Sequence, residues 1–297
     1  MTPRVAPAWG GQTMVAPLRR VLIFPPVPPD NTVSWEAFGY LRPLDHAAAV
    51  REHAAFRQVL ADAGAEVITG EIDDGALQDG IFAFDPMMVT DAGAILLRPG
   101  KALRAGEVAL AEQTLNDLGI PIAGRIAPPG TVEGGDCFWL DEHTLIIGHS
   151  YRTNAAGIAQ LTALLAPHVV TVIAVDLPHW HGPGECLHLL SLISMLDTNL
   201  AVVYLPLLPV RLVELLAERG VELIAIPDAE FATQGCNVLA LAPRRCLLLR
   251  ENAETARRLR AAGCDVTVYT GDEISHNRTG GPTCLTRPLL RDGSAAS

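Results

Sequence analysis

Positive charge is in short supply in this chain. Its 297 residues carry 22 lysines and arginines against 33 aspartates and glutamates, a formal net charge of −11. Such a balance attracts neither a nucleic-acid backbone nor an anionic membrane surface, so neither is an expected partner. Charged residues make up only 19% of the chain and hydrophobic ones 49%, too apolar a mixture for a disordered protein. Long hydrophobic runs are missing as well. The longest, Leu200 to Val210, is broken by Pro206 and Pro209 and is too short to span a bilayer. Residues Met1 to Thr13 hold no apolar segment of the signal-peptide kind. No C-x-x-C pair occurs among Cys137, Cys186, Cys236, Cys246, Cys264 and Cys284. That argues against a zinc ribbon or a thioredoxin-type motif, and reduced thiols in a cytoplasm are the expectation.

What the chain does have is a repeat. Helical patterns ending in glycine recur at Leu60-Ala-Asp-Ala-Gly64, Leu115-Asn-Asp-Leu-Gly119, Leu216-Ala-Glu-Arg-Gly220 and Leu259-Arg-Ala-Ala-Gly263. Each is followed by a short apolar segment, and a weaker copy stops at Pro167-His168. The stops at 64, 119, 168, 220 and 263 are about 50 residues apart. Phe56, Val59, Leu60 and Ala63, and again Val108, Ala111, Leu115 and Leu118, place an apolar stripe on one helix face. Hairpin patterns precede most of these helices: Met87–Thr90 with Ala94–Arg98, Asp136–Leu140 with Thr144–Gly148, Leu187–Ile193 with Leu200–Leu205, and Asn237–Leu241 with Cys246–Arg250.

Each unit therefore reads ββαβ. The first helix lacks a hairpin of its own, but Thr283–Thr286 can complete it by pairing with Arg20–Phe24. The expectation is an α/β fold of five pseudosymmetric units closed into a ring through the two chain ends. The plain alternative is a doubly wound sheet with antiparallel additions. A single domain over 1–297 is expected, with 1–19 and 291–297 as loose ends. In a ring, Asp85, Glu133, His188, Asn237 and Cys284 occupy similar places in successive units and converge near the axis.

These residues carry a family resemblance. Asp79-Gly-Ile-Phe-Ala-Phe-Asp85-Pro with Ile95-Leu-Leu-Arg98-Pro-Gly100, Glu133-Gly-Gly-Asp136, Ser150-Tyr-Arg152-Thr-Asn154, Leu187-His188-Leu and Gly280-Gly-Pro-Thr-Cys284-Leu stand in the order found in guanidine-group-modifying enzymes. The chain most resembles the dimethylargininases, which lack the helical insertion of arginine deiminases. The resemblance implies a five-bladed ββαβ propeller, pentein-like, and hydrolysis of a guanidino C–N bond in arginine or an Nω-substituted arginine to citrulline. It implies Cys284 as nucleophile, forming a thiouronium, and His188 as general acid and base. Glu133 and Asp85 are implied to grip the guanidinium, Arg104 and Arg152 the amino-acid carboxylate, and Asp79 a further part of the substrate. A thiolate suits this attack without a metal. No cofactor and no metal are expected, and the partner is a small cationic amino acid. A homodimer through an exposed blade edge is a generic option.

Two positions depart from the resemblance. Phe84 stands where dimethylargininases carry Glu, and Leu190 where dimethylargininases have Lys and arginine deiminases Asp. Amidino transfer, deiminase or dihydrolase activity, and a silent arginine-binding relative remain open alternatives. His179, His181, Glu185 and His188 supply ligand-type side chains in a short span, but Gly182-Pro183-Gly184 interrupts any helical spacing. The proline-rich stretch from Pro25 to Pro43, with Trp35, is expected to cover the site as a lid.

Overall fold

Turn residues between apolar runs fold as hairpins, and each hairpin is followed by a helix and a parallel return strand. The computed structural model describes residues 8–30, 32–168 and 170–293. The chain opens with β1 (Leu18–Ile23), α1 (His46–Asp62) and β2 (Glu66–Thr69). The next unit is β3 (Met87–Thr90), β4 (Gly93–Leu96), α2 (Glu107–Asp117) and β5 (Ile122–Arg125). It is followed by β6 (Cys137–Asp141), β7 (Thr144–His149), α3 (Ala155–Leu165) and β8 (Thr171–Asp176). Then come β9 (Ile193–Asp197), β10 (Leu200–Val203), α4 (Val210–Glu218) and β11 (Glu222–Ala225). The last unit is β12 (Leu239–Ala242), β13 (Arg245–Leu249), α5 (Ala253–Ala261) and β14 (Asp265–Tyr269), before the terminal strand β15 (Arg287–Arg291).

Five three-stranded sheets result, in the orders β15-β1-β2, β3-β4-β5, β6-β7-β8, β9-β10-β11 and β12-β13-β14. This is the five-bladed α/β propeller. In each blade the first two strands are antiparallel and the last joins in parallel, because a helical crossover returns the chain in the same direction. The terminal strand completes the first blade, pairing Leu22 with Arg287 and Val21 with Pro288. Burial falls from the inner strands outward: β3 is buried throughout, while β2 and β5 are only partly covered. Continuous apolar runs therefore mark inner strands and mixed ones mark blade edges.

The helices end where the sequence stops them. Gly64 and Gly263 take φ of 97° and 82°, a region in which a Cβ clashes, and Gly119 and Gly220 behave alike. Phe56 and Leu60 of α1, and Ala111 and Leu115 of α2, are the buried members of the expected stripes. Asp45 and Asn154 cap α1 and α3 through hydrogen bonds from the N–H groups of Ala48 and Gly157.

Some expected boundaries shift. The strand expected over Leu187–Ile193 is instead a tight 3-10 turn, Leu189–Ser191, leading into β9. The strand expected over Thr283–Thr286 begins later, at Arg287. The described part of the expected loose N-terminal segment is also tied down. The N–H of Gly10 donates to the carbonyl of Leu289, β1 starts at Leu18, and Arg291 is buried. Residues 1–7 and 294–297 lie outside the described residues. Among the described residues no helix is long and apolar enough to cross a membrane.

Candidate active site

All five blades contribute the segment just before their innermost strand to one cavity of about 560 Å³. Phe84 comes from the approach to β3, Gly135 from that to β6, His188 and Leu190 from that to β9, Asn237 from that to β12, and Thr283 and Cys284 from that to β15. A cavity of about 680 Å³ is formed around Thr13–Pro17 and the Asp141–His143 turn, and no cysteine lines it.

Two short turns bring the imidazole and the carboxylate together. Asp136 is buried and accepts hydrogen bonds from the Leu189 N–H at 3.0 Å and the Ser150 hydroxyl at 2.6 Å, which joins the Glu133 turn to the His188 turn. His188 Nε2 then lies 2.7 Å from Glu133 Oε2. Glu133 is fully buried and also accepts from the N–H of Gly100 at 3.0 Å and from Arg152 Nη1 at 3.1 and 3.2 Å. Burial alone raises a carboxyl pKa, but His188 and Arg152 outweigh it and hold Glu133 below its ordinary value. Burial likewise works against the imidazolium, yet Cys186, Asp85 and Asp136 raise His188 well above 6.5. The pair is a buried imidazolium–carboxylate.

Cys284 faces the same cavity, half-buried. Its Sγ accepts a hydrogen bond from Asn237 Nδ2 at 3.1 Å, and the Asn237 oxygen accepts the Thr283 N–H at 3.0 Å, so one amide fixes the turn and the sulfur. Burial, with the charge of Asp85, pushes the thiol up to about 11; His188 and Asn237 pull the other way.

Five expected substrate contacts are differently employed. Asp85 lies beneath the cavity, accepting the Gly135 N–H at 2.7 Å and Arg104 Nη1. Arg104 is not poised for a substrate carboxylate: it is 4% exposed and bound to both oxygens of Glu107, to Asp85 and to the Phe82 carbonyl. Asp79 does not line the cavity. Its carboxylate accepts from the Tyr40 hydroxyl at 3.0 Å and from Lys101 Nζ at 2.7 Å, pinning two groups that do. Arg152 lines the cavity but spends its guanidinium on Glu133, and Glu133 is itself turned onto His188 rather than left open for a guanidinium. The expected lid segment is present as Glu36–Leu41, lining the cavity over a 3-10 turn at Trp35–Phe38.

Lys101 and Cys186 line the cavity without having been singled out from sequence, and Asn237, expected near the axis, had no chemical role assigned. Cys186 was legible in principle, since residues two apart in extended chain share a side, and its sulfur lies 3.5 Å from His188 Nε2. Phe84 and Leu190 both line the cavity. The Arg287 guanidinium sits 3.7 Å from the Phe84 ring centroid and donates to the Phe84 carbonyl, and burial pushes its pKa down to about 9.

A model of the arginine deiminase family matches residues 119–213 and 208–291. The N(G),N(G)-dimethylarginine dimethylaminohydrolase of Pseudomonas aeruginosa is 34% identical over 155 residues, covering 52% of this chain and 58% of that protein. The enzyme of the same name from Streptomyces coelicolor is 28% identical over 242 residues, covering 82% and 86%. A solved structure of a mutant of the Pseudomonas aeruginosa protein with citrulline superposes at a TM-score of 0.75 with 23% identity, covering 92% of this chain and 100% of that one. That likeness concerns the fold. The chain belongs to the arginine deiminase family, within the guanidine-modifying propellers and close to the dimethylargininases.

Proposed function

We propose that this protein hydrolyses a guanidino C–N bond of arginine or an Nω-substituted arginine, releasing citrulline and an amine or ammonia through a thiouronium on Cys284. The observation that carries this reading is one cavity holding both the Cys284 thiol and the His188 imidazolium, with Glu133 on Nε2. A thiol at about 11 is almost wholly protonated at neutral pH. A bound guanidinium adds positive charge beside it and shifts it toward thiolate, so the substrate activates its own nucleophile. Asp85, just beneath, favours the cation electrostatically.

The sulfur then adds to the guanidino carbon. The bond to the departing nitrogen breaks as the His188 imidazolium gives it a proton. The imidazole left behind takes a proton from water, and the hydroxide adds to the thiouronium carbon. Cleavage of C–S returns the sulfur as thiolate, and loss of the added hydroxyl's proton to solvent leaves the neutral ureido product. Glu133 orients the ring and stabilises its charged form in the first half of this cycle.

Purified protein in excess chelator is incubated with arginine, monomethyl- and dimethylarginine and agmatine, and ureido product and amine are measured. Turnover of at least one substrate, abolished in Cys284→Ser, is expected. No turnover on any of them, or full activity in Cys284→Ser, contradicts the reading.

A further inference from the structure

Aromatic residues make up only 5% of this chain, yet Phe38, Tyr40, Phe84, Trp180 and Phe231 all line the cavity that holds Cys284 and His188. The two on the lid side are already engaged by cations. Lys101 Nζ lies 5.3 Å from the Phe38 ring centroid, and the Arg278 guanidinium lies 4.9 Å from that of Tyr40. The other three belong to a different surface. Phe84, Leu187 and Leu190 sit in one buried apolar cluster, and Trp180, Tyr204 and Phe231 pack against it half-buried. This wall begins at the reacting groups: the Phe84 N–H donates to the Cys284 carbonyl at 3.3 Å, and Leu190 follows His188 by two residues. Phe84 and Leu190 are also the two departures from the resemblance, and both put an apolar side chain beside the chemistry.

At its outer end the wall forms a corner. Trp180 meets Phe231 at 83° with ring centroids 5.8 Å apart, and Tyr204 stacks on Phe231 at 4.0 Å and 16°. Rings set at right angles let a third ring stack on one and point its edge at the other. Trp180 is held in this corner at φ 46°, a left-handed backbone unfavourable for a bulky side chain. The cavity, about 560 Å³, is of the size that takes a drug-sized ligand.

We propose that Trp180 and Phe231 form a subsite for an arylalkyl group, carried on the departing nitrogen of an Nω-substituted arginine. The group lies along the wall of Phe84 and Leu190 and ends in the aromatic corner. The inference rests on the guanidine chemistry proposed above and names its leaving group. As the sulfur adds and the C–N bond breaks, the substituted nitrogen takes the His188 proton and departs as an arylalkylamine. Trp180 and Phe231 set specificity by touching the substituent, not the bond that breaks.

Binding is measured by calorimetry on the full chain carrying Cys284→Ser, and turnover on the unaltered protein from released citrulline. The ligands are Nω-methylarginine and Nω-benzyl-, Nω-(2-phenylethyl)- and Nω-(3-phenylpropyl)arginine, whose linkers step outward by one carbon. At least one arylalkyl ligand is expected to bind about tenfold or more tighter than methylarginine. Trp180→Ala and Phe231→Ala, each added to Cys284→Ser and shown folded by circular dichroism, are expected to remove about tenfold of that affinity and leave methylarginine within about twofold. An arylalkyl series that binds no tighter than methylarginine overturns the proposal, and that comparison needs no aromatic variant. A preference that survives both substitutions, or an equal loss of methylarginine binding, overturns it as well. Tight arylalkyl binding without turnover would sink the hydrolase reading and keep the subsite. Turnover of methylarginine without any arylalkyl preference would sink the subsite alone.

Discussion

His188 owes its charge to its neighbours. Its pKa is raised above 6.5 although burial lowers it, and that of Glu133 is held below 4.5 although burial raises it. The two shifts define a pH window. The Glu133 contribution to stability is present above its unfolded pKa and is lost as pH falls through the lower folded one. The His188 contribution is complete below its unfolded pKa and is lost as pH rises through the higher folded one. The pair therefore supports the fold most fully between about pH 4.5 and 6.5. Glu133→Gln removes the charge partner. The His188 titration, followed by NMR, is expected to move down in pH, and kcat at neutral pH to fall by about a hundredfold or more. An unmoved midpoint would leave the imidazolium to Cys186, Asp85 and Asp136 alone. At this scale the sequence offered candidate residues more readily than it offered their contacts. Cys284, His188 and Glu133 stand in recognisable motifs. That Arg104 serves Glu107 and Asp85, and Asp79 serves Tyr40 and Lys101, depends on partners 3 to 39 residues away, which spacing does not reveal.

The elements that line the candidate site are not strands but the turns that enter them. Hairpins and helix stops were legible because turn residues and glycine act locally. The entry turns were not, because an apolar run such as Leu187–Leu196 does not say where pairing begins. Here the His188 N–H donates to the Ser191 hydroxyl at 3.3 Å, and the resulting turn delays β9 to Ile193. The Gly134–Asp136 turn shows how tight this layer is. A Cβ on Gly135 would stand 2.2 Å from His188 Nδ1. Gly135→Ala is therefore expected to displace the imidazole and cut kcat by about a hundredfold, with the circular dichroism spectrum unchanged. Full activity in that variant would mean the ring position is not critical.

The ring closes through the chain's two ends, and its repeat was visible as evenly spaced helix stops. Closure makes the last strand part of the core: Leu289 is fully buried among Leu22, Phe24, Ala83 and Met87. Leu289→Ala should destabilise by about 2–5 kcal/mol in urea unfolding, against about 0.5 kcal/mol or less for Val210→Ala, which is 73% exposed. Equal effects would argue that the terminal strand is dispensable. The cavity at one end of the ring draws on all five blades, so the chemistry belongs to the whole molecule rather than to one motif. Of its six cysteines, only one is assigned the reaction. The most direct test is peptide mapping by mass spectrometry after treatment at neutral pH with a limiting amount of a haloacetamidine, a cationic mimic of the guanidinium. The account predicts alkylation of Cys284 alone, with activity lost in step and protection by arginine-type ligands. Alkylation of Cys186 or another thiol instead, or full modification of Cys284 with activity retained, would contradict it.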